Sequence, residues 1–200
     1  MEKIIVINGS PRAIKSNSKK YAEVFMSKIK IPSEYINISK NNHNDIITKM
    51  RDVDQVVIVF PLYVDSIPST LLNFFKSLED VVLDHKPVIS IIINCGFIEH
   101  LQNNVAIEMV KLFCKRNGYR FGSILSIGSG EAIMTTPFRV LVYYKIGLFC
   151  KTIVSKRYKK LVVTMPMPKI LYIKASTGYW LRYGAKYGIT KEDMEIMTVE

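Results

Sequence analysis

The stretch KIIVINGSPRAIKSNS, residues 3–18, decides the fold. Ile4, Ile5, Val6 and Ile7 are four consecutive branched apolar residues, too short a run for a convincing helix and suited to a central strand covered on both faces. Asn8-Gly9 ends the strand. Gly9 offers backbone angles closed to other residues, and Pro11 sets a turn. The hydroxyls of Ser10, Ser16 and Ser18 fall where the next helix should begin. A helix N-terminus presents unpaired N–H groups and a partial positive charge. A lone N-cap at Ser16 or Asn17 would need one polar residue. Here several crowd the turn together with Arg12 and Lys15, which makes it a candidate phosphate site. The turn has neither the G-x-x-x-x-G-K-[ST] arrangement of nucleoside triphosphatases nor the G-x-G-x-x-G dinucleotide fingerprint, and it suits a terminal phosphate monoester.

Working outward, periodicity predicts a helix over residues 17–30, a short strand at 33–39, a helix at 41–52 and a strongly apolar strand at 55–60. A helix at 69–80, a strand at 87–93, a helix at about 99–116 closed by Asn117-Gly118, and a fifth strand at 120–128 follow. Strands alternating with helices imply a parallel sheet with helices on both faces. Ligands of such sheets sit beyond the carboxyl ends of the strands. That rule singles out the loops 9–18, 61–68 and 94–100. Beyond Gly130 the pattern is weaker: an apolar, aromatic helix at 137–155, the basic run SKRYKK, the stretch LVVTMPMPKILYI, strand-like or extended around Pro166 and Pro168, and a last helix at 177–187.

The chain has 200 residues, 48% of them hydrophobic, enough for one substantial core, so a single domain is expected, with a core over 1–130 and a helical, basic extension over 131–200. Cys95, Cys114 and Cys150 are odd in number and widely spaced, which argues against a disulfide framework and against zinc, and no metal site is expected. Neither a secretory leader nor a membrane span is expected, and a reducing cytoplasm is the expected home. Of the net charge of +11, residues 132–200 contribute +8, with 12 basic and 4 acidic side chains. Such a field favours anionic partners without choosing among them. Nucleic acid is not expected, and membrane-surface contact by the aromatic, basic stretch 137–160 is set second to its packing on the sheet.

After the third strand, Pro61, Leu62, Tyr63 and Val64 stand at the strand tip, and Tyr63 offers a planar surface for a flat heterocycle. Backbone groups of residues 62–64 are placed for its polar rim. After the fourth strand come Asn94, Cys95, Gly96 and Phe97, of which Gly96 permits close approach and Phe97 closes the pocket from a second side. Cys95 has no cysteine or cation beside it in sequence and reads as a small buried hydrophobe. His100 either helps shape the pocket or lies at the start of the helix that follows, and nothing pairs His43 or His85 with carboxylates at metal-ligand or triad spacing.

With NGSPR and KSNS, PLYVDSIPSTLLNFF, and NCGF in these three positions, the chain resembles the flavodoxin-like NAD(P)H-dependent FMN reductase superfamily over roughly residues 1–130. The resemblance implies a flavodoxin-like three-layer sandwich with a five-stranded parallel sheet in the order 2-1-3-4-5. It implies Ser10, Arg12, Ser16, Asn17 and Ser18 at the FMN phosphate. Pro61, Leu62, Tyr63 and Val64 would run along the ring, with Asn94, Cys95, Gly96 and Phe97 opposite. It implies an oxidoreductase that moves hydride from NAD(P)H through FMN to a small acceptor such as a quinone, free flavin or nitroaromatic. No protein residue is then needed as acid, base or nucleophile. A homodimer is also implied. Two departures bear on this: Val64-Asp65 replaces the Trp, Asn or Gly common after the tyrosine, and Lys76-Ser77 replaces a common Asp-Arg. The alternatives are a flavodoxin-type electron carrier, which a net charge of +11 suits poorly, and a binding protein working through its basic C-terminal third.

Overall fold

The computed structural model describes residues 2–196, and the chain divides into two compact units, Met1–Met165 and Pro166–Glu200. In the first unit β1 (Ile4–Asn8), α1 (Asn17–Lys28), β2 (Ser33–Asn37), α2 (His43–Met50), β3 (Gln55–Pro61), α3 (Ser69–Glu79), β4 (Val88–Asn94), α4 (Asn104–Arg116) and β5 (Phe121–Ile127) alternate as the apolar pattern requires. They are followed by α5 (Arg139–Val154) and a further strand, β6 (Lys160–Val163).

The sheet is wholly parallel and has six strands in the order β2-β1-β3-β4-β5-β6. The expectation of five strands is therefore corrected. β6 extends the sheet beyond β5, with Leu161 opposite Leu125 and Val163 opposite Ile127. Its signal was weak for a physical reason. An edge strand of four residues has little apolar surface to bury, and this one starts at an exposed lysine and runs into a proline-rich loop.

Chain order reverses between β1 and β3, the strand pair on either side of which the crossovers depart in opposite directions. Ile5 and Ile7 of β1, Ile58 and Phe60 of β3, and Ile91 and Ile93 of β4 form one buried core with Ile46, Leu71, Phe74, Val110 and Phe113 from α2, α3 and α4. Phe75 stacks on Phe113 at 4.2 Å within it. The other face is covered by α1 and α5, whose Phe25 and Phe149 meet edge to face at 5.8 Å. The aromatic helix at 139–154 thus packs on the sheet, burying Val142, Ile146, Phe149 and Ile153. Val140, Tyr144 and Val154 on its other side stay exposed.

The second unit contains α6 (Lys169–Ala185) and the short α7 (Lys191–Glu195), which Thr190 and Asp193 cap reciprocally. The helix expected from 177 is α6 and begins eight residues earlier, because Pro168 supplies a preset start while the β-branched and aromatic ILYI run reads locally as strand. No helix among the described residues is long and apolar enough to cross a membrane.

Candidate functional site

The loops leaving β1, β3 and β4 open into one pocket at the carboxyl edge of the sheet. Its lining comprises Ser10, Arg12, Ser16, Asn17, Ser18, Pro61, Leu62, Tyr63, Asn94, Cys95 and Gly96, together with Lys15 and Glu131. Eleven of the thirteen expected site residues are thus brought together. Val64 and Phe97 are absent from the lining; Val64 is 95% exposed and Phe97 54% exposed.

Asn8, at the end of β1, organises the first loop although it was read only as a strand stop. Its buried carboxamide oxygen accepts from the Ser10 N–H at 3.0 Å, and its NH2 lies 3.0–3.3 Å from Ala13 O, Ser16 Oγ, Tyr35 OH and Asn37 Oδ1. Ser16 is the N-cap of α1, its hydroxyl accepting from the Lys19 N–H at 3.1 Å and donating to Ala13 O at 2.8 Å. Ser18 is fully buried, and its hydroxyl receives the Asn94 side-chain NH2 at 3.1 Å. Two of the expected phosphate hydroxyls are therefore engaged in building the loop.

The polar groups left over fit a phosphate monoester. Ser10 Oγ makes no hydrogen bond among the described residues although Ser10 is only 4% exposed. The N–H groups of Asn17 and Ser18 belong to the first turn of α1 and have no intrahelical partner. Arg12 is right-handed and Ala13 left-handed at φ +38°, but the Ala13 N–H donates to Ser10 O at 2.9 Å, so that amide is not open to an anion. Arg12 and Lys15 bring charge to the same rim. Gly9 does not use the positive φ open to glycine. A Cβ there would meet Leu71 and Phe60 at 3.4 Å, an ordinary contact distance, so the space at this position does not demand glycine either.

The second loop differs from expectation in its free donors. Leu62 N–H is bound to Asn94 O at 2.7 Å, Tyr63 N–H to Ser66 O at 3.0 Å, and Cys95 N–H to Ile127 O at 3.0 Å. These three amides are unavailable to a ligand. Tyr63 and Ser66 exchange both backbone bonds across Val64 and Asp65, whose φ values are +46° and +55°. This is the two-residue turn with both central residues left-handed that ordinarily takes Asn-Gly. A β-branched residue there is strained, at about 1–2 kcal/mol. Replacing the pair, V64N/D65G, is expected to raise unfolding stability by about 1–2 kcal/mol. A urea midpoint that stays put or falls in the double variant would show that the turn stores no strain.

Asn94 joins the three loops. Besides Ser18, its NH2 donates to Phe60 O at 3.1 Å, while its backbone carbonyl holds Leu62. Cys95 is 3% exposed and burial pushes its thiol up to about 11, so it is inert at neutral pH. Glu131 was missed. It lies in a loop after β5, which was not among the three loops read as lining the site, and it stands where a Cβ on Gly96 would be 3.9 Å from its carboxyl. The same loop is pulled in by Tyr21, whose hydroxyl donates to Gly130 O at 2.7 Å, and by Gly130 N–H to Cys95 O at 2.7 Å. Gly130 is required there, since a Cβ would sit 2.9 Å from that of Asn94. Among the described residues no cluster of His, Cys, Asp or Glu could hold a metal ion, and all three cysteines are free.

A doubly wound parallel sheet with its pocket at the chain reversal defines a flavodoxin-like α/β protein. The model of the NADPH-dependent FMN reductase family matches residues 2–113, more than half of the sequence, and the chain belongs to that family. Among solved structures, an FMN-dependent NADH-azoreductase from Bacillus anthracis str. Ames Ancestor in complex with FMN is similar at TM-score 0.56 and 17% identity, over 76% of this chain and 99% of that one. An NADPH-quinone reductase from P. pentosaceus is similar at TM-score 0.59 and 12% identity, over 75% and 98%. The flavodoxin of Streptococcus pneumonia TIGR4 is similar at TM-score 0.57 and 13% identity, over 78% and 99%. At these identities the likeness is one of fold. No curated protein sequence matches the chain.

Proposed function

We propose that the protein is an FMN-dependent oxidoreductase that takes hydride from NADPH or NADH and delivers electrons to a small acceptor such as a quinone, a free flavin or a nitroaromatic. The observation that carries this reading is the convergence of the β1, β3 and β4 loops on one pocket with a donor-rich, basic end and a tyrosine-lined end. FMN, when bound, supplies the redox chemistry. Arg12, Lys15, Ser10 Oγ and the first-turn amides of α1 hold the phosphate. Ser16 and Ser18 act on it through backbone N–H groups and by fixing the loop. Tyr63 covers one side of the ring, an aromatic contact of ~0.5–1.5 kcal/mol beyond area burial. Pro61 and Leu62 line the same side, and Asn94, Cys95 and Gly96 form the opposite wall. With the Leu62, Tyr63 and Cys95 amides engaged, the Val64 and Phe97 N–H groups, unbonded among the described residues, are available for the ring's polar rim. The homodimer implied by the family resemblance belongs to this proposal, and sedimentation of the purified protein tests it.

The deciding experiment is a visible absorption spectrum after loading with FMN and desalting, followed by anaerobic addition of NADPH or NADH. Retained flavin that bleaches with either nucleotide is the expected result. Absence of retained flavin under any loading condition overturns the proposal, and retained flavin inert to both nucleotides converts it to an electron carrier.

A further inference from the structure

Residues 166–190 carry four basic side chains, Lys169, Lys174, Arg182 and Lys186, and no acidic one. The acidic residues of the second unit's described part, Glu192, Asp193 and Glu195, all fall in α7, where Asp193 is engaged by Thr190 and Glu195 by Lys191. Along α6 and just past its end, Tyr172, Tyr179, Trp180, Tyr183 and Tyr187 recur at three-, four- and seven-residue spacing, which places them on one face. By the same spacing Lys186 falls beside Tyr179 and Tyr183 and Arg182 at the edge of that face, while Lys174 falls on the opposite side. The aromatic rings form a continuous ladder, Tyr179 to Tyr183 at 6.1 Å and Tyr183 to Tyr187 at 5.3 Å, with Trp180 edge-on to both Tyr179 and Tyr183. They are nevertheless open to solvent: Trp180 is 48% exposed and Tyr187 67%.

We infer that α6 is a membrane-surface helix that lies in the interface of an anionic lipid bilayer. Its chemistry selects that occupant over others. Every aromatic residue on the face is a tyrosine or tryptophan, a ring with an apolar body and a polar tip. Such residues suit the headgroup boundary, where one end is dry and the other wet, better than a dry protein core. The flanking cations complement anionic headgroups, and their long stems reach toward them. A second copy of the same helix would set the like charges of Lys174, Arg182 and Lys186 against their own counterparts. Spanning the bilayer is excluded by length and charge, since the 17 residues of α6 include Lys174 and Arg182.

Trp180 is the only tryptophan in the chain, so its fluorescence reports on this face alone. With vesicles of phosphatidylcholine containing about one-third phosphatidylglycerol, its emission is expected to move to shorter wavelength and to be quenched by acyl-brominated lipid. Binding should be roughly 100-fold tighter than to pure phosphatidylcholine at low salt, from three basic residues at the surface. That preference should collapse in about 0.5 M salt. The variant K174E/R182E/K186E should lose the preference. Y179S/Y183S, which retains the probe, should bind the anionic vesicles at least tenfold more weakly, with helical content checked by circular dichroism in both. Emission that ignores anionic vesicles, or answers equally to both lipids, overturns the inference. So does a shift driven by protein concentration without lipid, which assigns the face to a second copy. A shift given by RNA with no quenching by brominated lipid overturns it likewise.

Discussion

The double variant R12A/K15A is expected to bind FMN about 100-fold more weakly than the parent while its affinity for riboflavin stays within about threefold. Each side chain offers a charge-assisted contact to the phosphate, worth about 1.5–3 kcal/mol where solvent is excluded. Both are exposed at the rim, which discounts the sum. Ser10 Oγ and the first-turn amides of α1 remain, so binding is weakened and not abolished. Riboflavin has the same ring without the phosphate and isolates the effect. Flavin fluorescence titration of both ligands against both proteins measures it. Equal losses for the two ligands would mean that the loop itself had moved. No loss for either would remove the phosphate from this end of the pocket.

Asn94→Ala is expected to act in the opposite pattern, weakening FMN and riboflavin alike and lowering the stability of the flavin-free protein by about 2–4 kcal/mol. Asn94 is 4% exposed, and its amide binds Ser18 Oγ and Phe60 O, both in the interior. Truncation leaves both acceptors without this donor, at about 1–3 kcal/mol for each buried group so stranded. For a chain of this length that corresponds to a fall in Tm of roughly 5–12 °C. It also uncouples the start of α1 from the ends of β3 and β4, so the pocket walls lose their common tie. Thermal unfolding without flavin, followed by titration with both flavins, checks the two halves separately. An unchanged melting temperature would show that the three loops do not depend on this residue. The contrast between the two variants separates contact with a ligand from construction of the site.

Much of the fold was legible because burial on both sides of a parallel sheet leaves a blunt mark. Ile4–Ile7, Val56–Phe60 and Ile89–Ile93 read as covered strands, and the intervening 3.6-residue periodicity read as helices with ends within a few residues of those observed. The position of the site was legible as well, since alternation alone makes the loops after β1, β3 and β4 the place for a ligand. β6 was legible only as part of a strand-like or extended stretch and not as a member of the sheet, because its pairing with β5 depends on partners in another segment and its own four residues bury little. Nor was the true start of α6, where local β propensity at residues 170–173 outweighed the preset backbone of Pro168.

What the sequence by itself determined about this protein is the alternating parallel architecture, the family, and the set of polar and aromatic residues gathered at one sheet edge. All of these follow from local periodicity and from motifs read along the chain. Only the tertiary structure decided what those residues are free to do. Ser16 and Ser18 have their hydroxyls engaged by a helix cap and by Asn94, and the Leu62 and Tyr63 amides are bound to other backbone. Glu131 enters the pocket because Tyr21 and Gly130 draw its loop inward. The physical reason is that a buried donor or acceptor must find a partner, and that partner comes from whichever segment the fold brings alongside.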